Sequence, residues 1–154
     1  MDASIINYVE VWKRVIDAYA LSLSSEHGPS HWKRVERNGL KLAEKTGARI
    51  DVVRLFAVFH DSKRLNECND PQHGPRGAEF ARELRNVVYE IDDEGFALLF
   101  EACFFHTGLN HSPNPTIGTC LDADRLDLGR VGIMPDPQFM STLYGKELCV
   151  ETQT

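Results

Sequence analysis

Two histidines and two aspartates in this chain are of the types that bind a divalent metal ion together. His31 comes first, the adjacent pair His60 and Asp61 follows, and Asp124 comes last. Two imidazoles and two carboxylates suit Zn, Mn, Fe, Co or Ni better than Ca, which prefers oxygen ligands alone. A metal held in this way could activate water and polarise a substrate, so hydrolysis is the first chemistry to consider.

Each of the four residues also has a purely structural interpretation. His60 and Asp61 could be an exposed pair at a helix end, and His31 could cap a helix. Asp124 could instead form an ion pair with Arg125. Two further acids on the same stretch compete with it as ligands: Asp122 and Asp127.

The segment before His60 favours metal binding over these alternatives. Residues 55–59 (LFAVF) form an apolar run that should be the most buried part of a helix. An ionised carboxylate directly after such a run is unfavourable unless it is paired or bound to a metal. Helical bundles build metal sites from ligands on several facing helices, and the four residues here fall on three helical segments.

Three more histidines could complete a second site. His73 begins the stretch HGPRGAEFA, with a glycine four residues on, and His106 ends an apolar stretch, EACFFHTG. His111 is a competing candidate nearby. These side chains could ligate a second ion, or they could line the pocket and contact a substrate phosphate.

Basic residues recur beside the candidate ligands. Arg64 follows Asp61 by three positions, Arg76 follows His73 by three, and His27 precedes the first histidine of the quartet by four. A cation near a transferring phosphoryl group stabilises the charge that grows there, so these three residues are candidate phosphate contacts. Two other basic residues are interpreted as ordinary surface charge: Lys63 and Arg125.

Helical periodicity must position these groups. Apolar spacing predicts a first helix over 4–23, a second from an N-cap at Ser30 to Gly47, and a third capped by Asp51. A fourth helix is expected over 75–86, with Pro75 at its first position.

The second half of the chain is also predicted to be helical. Asp92 and its acidic neighbours should begin a fifth helix that ends near His106, and a sixth should cover 116–128. A short seventh helix or an irregular tail follows Pro135 and Pro137. Alternation typical of strands is absent, so the sequence predicts an all-α fold, a compact bundle of about six or seven helices forming one domain over 1–154.

Composition narrows the function classes. Hydrophobic residues make up 42% and charged residues 26%, which is typical of globular proteins. The formal net charge of −6 argues against a broad nucleic-acid-binding face, so any small phosphorylated substrate would have to be held locally, by a metal and a few basic groups. The oligomeric state stays open.

Membrane insertion and disulfide bonding are not expected either. The longest apolar stretch, 96–105, is interrupted by Glu101 and is shorter than the roughly 20 residues of a membrane helix. The four cysteines are widely spaced, and Cys103 and Cys120 lie in apolar contexts typical of buried thiols. A reduced, cytoplasmic protein is the expectation.

The ordered quartet H…HD…D resembles the HD superfamily of metal-dependent phosphohydrolases. The similarity runs from about His27 to Val131 and rests on three segments: HGPSHWKRVERNGLKLAEKTGA, LFAVFHDSKR and LDADRLDLGRVG. The resemblance implies an all-α, HD-domain-like fold and a divalent ion (Mn, Zn, Fe, Co, Ni or Mg), one or two per chain. It also implies that the quartet members are the metal ligands: His31, His60, Asp61 and Asp124.

The resemblance further implies a catalytic arrangement. In relatives with two metals, the residue corresponding to Asp61 bridges the ions, and those corresponding to His73 and His106 ligate the second. The expected reaction is hydrolysis of a phosphate ester of a nucleotide or other small metabolite. Asp61 would be a ligand and a candidate proton acceptor, while Arg64 and His73 would hold the phosphate.

Two alternatives remain beside hydrolysis. Some HD-fold proteins with extra histidines are di-iron oxygenases, and imidazole and carboxylate ligands also suit iron. The site could also be catalytically idle, serving a sensor that binds metal or nucleotide. The GYP signature is missing from the chain, so cyclic dinucleotides are not indicated as substrates.

Overall fold

The computed structural model describes residues 5–151, and within them the fold is all-α with no strand. This confirms the predicted fold class. The helices are α1 (Tyr8–Asp17), α2 (Pro29–Thr46), α3 (Ile50–Phe59), α4 (His73–Leu84), α5 (Asp93–Phe105), α6 (Pro115–Arg125) and α7 (Leu143–Glu151). Two 3₁₀ helices lie between α6 and α7: η1 (Leu128–Val131) and η2 (Pro137–Phe139).

Helix α3 lies at the centre of the bundle. Its residues from Val52 to Phe59 are buried except for Arg54, and it packs against α2, α5 and α6. Burial on nearly all sides matches its continuous apolar sequence. His60 and Asp61 follow this helix directly and therefore lie in the interior.

Two glycines let α4 approach the ends of α3 and α5 closely. A Cβ atom on Gly77 would lie 2.5 Å from the carbonyl oxygen of Phe59, and one on Gly74 would lie 2.8 Å from that of Cys103. Both distances are shorter than a side-chain carbon tolerates. The close packing brings His73, at the start of α4, to the end of α3.

The ends of α2 differ in part from expectation. Its N-cap is Gly28 rather than Ser30, because Pro29 already occupies the first helical position. Its C-cap is Gly47, as expected, with a φ of 75° in the left-handed region that favours glycine. Ahead of α2, the indole nitrogen of Trp32 donates to the carbonyl of His27 and holds the preceding loop against the helix.

Several predicted helix boundaries were wrong. Helix α1 ends at Asp17 rather than 23, since Tyr19 packs on Trp32 and hydrogen-bonds Ser25. The predicted start of this helix at residue 4 lies outside the described residues. Helix α3 is capped at Arg49, and Asp51 lies in its first turn. Two further corrections follow: α4 starts two residues earlier than predicted, and α6 ends at Arg125, where the backbone tightens into η1.

The cysteines and apolar helices agree with the expectations from composition. Cys103 and Cys120 are buried free thiols, and burial raises the pKa of both. Within residues 5–151, no helix combines the length and the apolar character that crossing a bilayer requires.

Candidate metal centre

Three helices bring the predicted quartet together. His31 lies in the first turn of α2, His60 and Asp61 follow α3, and Asp124 lies in the last turn of α6. Each offers one ligand atom, and these atoms all lie within 4.8 Å of one another. Three of the residues are buried, with Asp124 partly so, and the group could hold a metal ion.

The distances within this first group are short. Nε2 of His31 lies 3.0 Å from Nε2 of His60, 3.1 Å from Oδ1 of Asp124 and 3.3 Å from Oδ2 of Asp61. Nε2 of His60 lies 3.4 Å from the same Asp124 oxygen and 3.6 Å from Oδ2 of Asp61. Four potential ligand atoms therefore surround one point.

A second group shares Asp61. Its other oxygen, Oδ1, lies 3.0 Å from Nε2 of His73 and 3.3 Å from Nε2 of His106, and these two nitrogens lie 3.0 Å apart. This group could hold another metal ion, with Asp61 facing one group through each oxygen. The two groups together form the ligand cluster: His31, His60, Asp61, His73, His106 and Asp124.

The Nδ1 atoms of the first group are bonded to acceptors. Nδ1 of His31 donates to Oδ2 of Asp127 at 2.7 Å. Nδ1 of His60 lies 3.0 Å from the carbonyl oxygens of both Phe56 and Ala57. Because carbonyls and carboxylates only accept, both Nδ1 atoms carry hydrogen, which leaves the Nε2 lone pairs for the centre.

The second group repeats this arrangement. Nδ1 of His73 donates to the carbonyl of Asp70 at 2.6 Å, and Nδ1 of His106 donates to the carbonyl of Cys103 at 2.7 Å. The Nε2 atoms of each group lie 3.0 Å apart, so their lone pairs repel each other unless a proton or a metal ion lies near them.

The residues of the cluster fit a bound cation. Oδ1 of Asp124 is buried and has no hydrogen-bond partner among the described residues, although it lies 3.1 Å from Nε2 of His31. A buried acceptor without a donor is unfavourable, and a metal ion at this point would satisfy it. Imidazole nitrogen and carboxylate oxygen are suitable ligands for a transition metal.

Ionisation in the cluster matches this need for positive charge. Burial lowers the pKa of His31, but the nearby carboxylates of Asp124, Asp127 and Asp61 outweigh it and raise that pKa to about 10, so the cluster attracts a positive charge, a proton or a metal ion, at Nε2 of His31. Burial alone would raise the pKa of Asp61, yet His60 and the other surrounding imidazoles hold it well below its usual range. Both carboxylates of the cluster are therefore ionised, since the pKa of Asp124 is lowered for the same reasons.

A cavity of about 390 Å³ opens onto the cluster. Arg64 reaches it with a side chain only 10% exposed, and its Nε lies 4.0 Å from Oδ1 of Asp61. His27 also lines the cavity, with Nδ1 3.5 Å from Oδ2 of Asp61. The remaining lining residues outside the cluster are Thr107, Asn110, Arg125, Leu128, Arg130, Val131 and Phe139.

Two predicted site residues lie elsewhere. Arg76, a candidate phosphate contact, does not line the cavity: its Nη2 lies 2.6 Å from both carboxylate oxygens of Asp70, and its Nε donates to the carbonyl of Lys63. His111 is exposed, bonds to the carbonyl of Gln138 at 2.6 Å and belongs to neither group of ligands. It follows Gly108 on the loop between α5 and α6, which leads it away from the centre.

The structure also assigns the remaining charged residues near the quartet. Asp122 accepts hydrogen bonds from the backbone nitrogens of Ser141 and Thr142, so it does not compete with Asp124. Lys63 lies over the ring of Phe80, with Nζ 4.0 Å from the ring centroid.

Sequence reasoning missed three functional neighbours of the cluster. Asp127 holds His31 and also accepts from Arg34 at 2.8 Å, although its position three residues after Asp124 was an available signal. Arg130 lines the cavity from η1. Arg125 lines it too, rather than being plain surface charge, and donates to the carbonyls of Leu109, Asn110 and Phe139, which no pattern in the sequence indicates.

No protein-family model, curated protein or solved structure matches this chain. The all-α fold and its buried His/Asp cluster are compatible with an HD-like fold. The functional argument therefore rests on the chemistry of the cluster itself.

Proposed function

We propose that this chain is a metal-dependent phosphohydrolase that cleaves a phosphate ester of a nucleotide or another small phosphorylated metabolite. One observation carries the proposal: two pairs of imidazole Nε2 atoms, each 3.0 Å apart, face the two oxygens of a single buried carboxylate. A shared carboxylate between two imidazole-rich groups is suited to a pair of divalent ions.

The ligands divide between the two groups. His31, His60 and Asp124 would hold one ion with Oδ2 of Asp61, while His73 and His106 would hold the other with Oδ1. The short distances around Nε2 of His73 favour metal ligation over direct phosphate contact. A bound divalent ion supplies a Lewis acid for a phosphoryl oxygen and lowers the pKa of water toward neutrality.

The chain's own residues prepare the site for an anionic substrate. Asp61 stays ionised, because the surrounding imidazoles hold its pKa well below the usual range, so both of its oxygens are available as ligands. Arg64 places a positive charge within 4.0 Å of it, where charge on a transferring phosphoryl group would be stabilised. A cavity of about 390 Å³ lies at the small end of ligand sites, which favours a small metabolite.

A di-iron oxygenase is the second candidate. It is favoured by the composition of the ligand cluster, because four imidazoles and two carboxylates around two centres also suit iron. Hydrolysis is preferred because arginines line the same cavity, as expected for a phosphate-bearing substrate.

Anaerobic phosphate release separates the two candidates. The protein is stripped of metal, reloaded with Mn or Co, and assayed on a panel of small phosphomonoesters and phosphodiesters. We expect turnover in the wild type, none in Asp61→Ala, and wild-type turnover in Asp93→Ala, whose side chain is fully exposed. Turnover that requires iron and oxygen would contradict hydrolysis and support the oxygenase.

A further inference from the structure

We propose that Arg130 and Arg64 form a two-arginine clamp that binds the terminal phosphate of a phosphomonoester. This inference rests on the proposed function and narrows its substrate class. It assigns a substrate-binding role to Arg130, a residue of the short helix η1 that lies outside the ligand cluster.

Arg130 is anchored at the cavity by its neighbours. Its side chain is 11% exposed, and Nη1 donates to the carbonyl of Asp127 at 2.9 Å and lies 4.0 Å from Oδ2 of the same residue. Its Nη2 lies 3.4 Å from Nδ1 of His27. These contacts hold the guanidinium from one side while the side chain lines the cavity.

Arg64 repeats this pattern at the end of α3. Its side chain is 10% exposed, Nη1 donates to the carbonyl of Asn66 at 3.1 Å, and Nε lies 4.0 Å from Oδ1 of Asp61. Both arginines line the same cavity. Two arginines anchored at one cavity present a concentrated positive charge there, which indicates an anionic ligand that offers several acceptors.

A third arginine at the cavity, Arg125, differs because its guanidinium already donates several hydrogen bonds to the protein. Arg125 donates to three carbonyl oxygens, those of Leu109, Asn110 and Phe139, and burial lowers its pKa. Its role is to tie the loop after α5 to the end of η2. The clamp therefore consists of Arg64 and Arg130 alone.

The chemistry of two arginines favours a monoester over a diester. A guanidinium fork matches two phosphate oxygens, and a phosphomonoester offers three non-bridging oxygens and up to two negative charges. A phosphodiester offers only two such oxygens and one charge, which two forks and a metal centre cannot share. The apolar side chains of Leu128, Val131 and Phe139 leave room beside the clamp for the group that carries the phosphate.

Binding of inorganic phosphate to the metal-loaded protein tests the clamp. Calorimetry is performed on the wild type and on Arg130→Gln, Arg130→Lys and Arg64→Gln. Arg82→Gln is the control, since that arginine forms an exposed ion pair with Glu79. We expect each Gln variant to bind phosphate about tenfold to a hundredfold more weakly, with Arg130→Lys in between and the control unchanged.

Metal content and kinetics distinguish binding from a structural role. We expect Arg130→Gln to retain its metal and melting temperature, and to raise KM for phenyl phosphate more than it lowers kcat. Wild-type protein should prefer phenyl phosphate to diphenyl phosphate in kcat/KM. If Arg130→Gln does not fold or loses metal, the phosphate affinity and KM of Arg130→Lys are used instead to test the clamp.

Several outcomes would overturn the clamp. Phosphate binding would contradict it if the wild-type protein bound no phosphate, or if Arg130→Gln bound phosphate as tightly as wild type. Kinetics would contradict it if wild type cleaved diphenyl phosphate as well as or better than phenyl phosphate. Metal analysis would contradict it if both Arg130 variants lost their metal. The last outcome would make Arg130 a positioning residue for the metal centre. Phosphate binding that depends on Arg130 without any hydrolysis would instead keep the clamp and refute the proposed function.

Discussion

The ligand cluster and the 3₁₀ segment (residues 128–139) line the same cavity but are built in opposite ways. Every imidazole of the cluster is fixed by a hydrogen bond at Nδ1 and sits in the packed interior. The 3₁₀ segment consists of two short turns, and its apolar side chains include Ile133 at 53% and Met134 at 67% exposure. The candidate metal ligands therefore lie at hydrogen-bonded helix ends, whereas the proposed substrate contacts lie partly on a loosely packed surface segment.

The sharpest test of this contrast is removal of the shared ligand. Asp61→Ala deletes one oxygen from each metal group, so we expect both ions to be lost. Because even indirect partners of metal ligands affect affinity by about 10–100-fold, the loss of affinity here should exceed about 100-fold. Metal analysis of the purified variant measures it. A folded Asp61→Ala protein with full metal content would contradict metal binding by the ligand cluster.

Metal removal should destabilise the whole bundle, since the ligands come from the ends of helices throughout the fold. With metal at 100 times its Kd, binding contributes about 2.7 kcal/mol to the free energy of unfolding. For a domain of this size the chelated protein should melt roughly 5–10 °C lower. Melting with and without chelator, followed by circular dichroism, measures the shift. Coincident curves would contradict a buried, occupied centre.

Asp127 tests whether the Nδ1 hydrogen bonds matter for binding. Asp127→Asn removes the charge that orients His31, so we expect metal affinity to fall about 10–100-fold. Arg34→Gln is the matched control, because it removes another partner of the Asp127 side chain and leaves the carboxylate in place. Competition with a chromophoric chelator gives the affinities. Equal losses in the two variants would assign the effect to the ion pair and not to His31.

Asp70 should give a pH-dependent effect of about 1 kcal/mol on stability. Burial opposes ionisation of this carboxyl, but hydrogen bonds from Arg76 and the backbone nitrogen of Leu65 hold its pKa below the usual value. The stabilisation is therefore full above the unfolded pKa of about 3.9 and is lost as pH falls through the lower folded pKa.

Denaturation of wild type and Asp70→Asn checks this sign. The two proteins, both with chelator present, are compared between about pH 6 and about pH 3. We expect a constant difference at the upper end that shrinks below about pH 4. A difference that grows as the solution is acidified would mean that the carboxyl is not held ionised by Arg76.

The smallest effect is expected in the 3₁₀ segment. Met134→Ser replaces a largely exposed side chain, so the free energy of unfolding should stay within about 0.5 kcal/mol of wild type. Metal content should not change. A larger loss of stability in chemical denaturation would mean that the segment packs as firmly as the cluster, and the contrast between the two regions would fail.

The same contrast explains what sequence reasoning could reach. His31, His60, Asp61 and Asp124 were identified by their residue types, by the apolar run before His60 and by the resemblance to HD phosphohydrolases, whereas the all-α fold followed from helical periodicity. The chain carried no comparable signal for Arg130. Its approach to the cavity depends on α6 ending at Arg125 and not at 128, a difference that only tertiary contacts decide.

Local spacing also misled where loops were involved. His111 and Arg76 lie as close in sequence to candidate ligands as the residues that do reach the centre. The carbonyl of Gln138 bonds the first and Asp70 pairs with the second, and both partners depend on loop paths that periodicity does not describe. Asp127 was accessible, since it lies three residues after Asp124 within the predicted sixth helix (116–128), a spacing that places both residues on one side.

The single carboxylate between the two metal groups makes their occupancies thermodynamically interdependent. Each ion that binds Asp61 changes the charge and the orientation that the carboxylate presents to the other ion. By linkage, the factor by which the first ion alters the affinity for the second equals the factor in the reverse direction. If both proposed ions bind, their affinities are therefore coupled, and the two sites should not titrate independently.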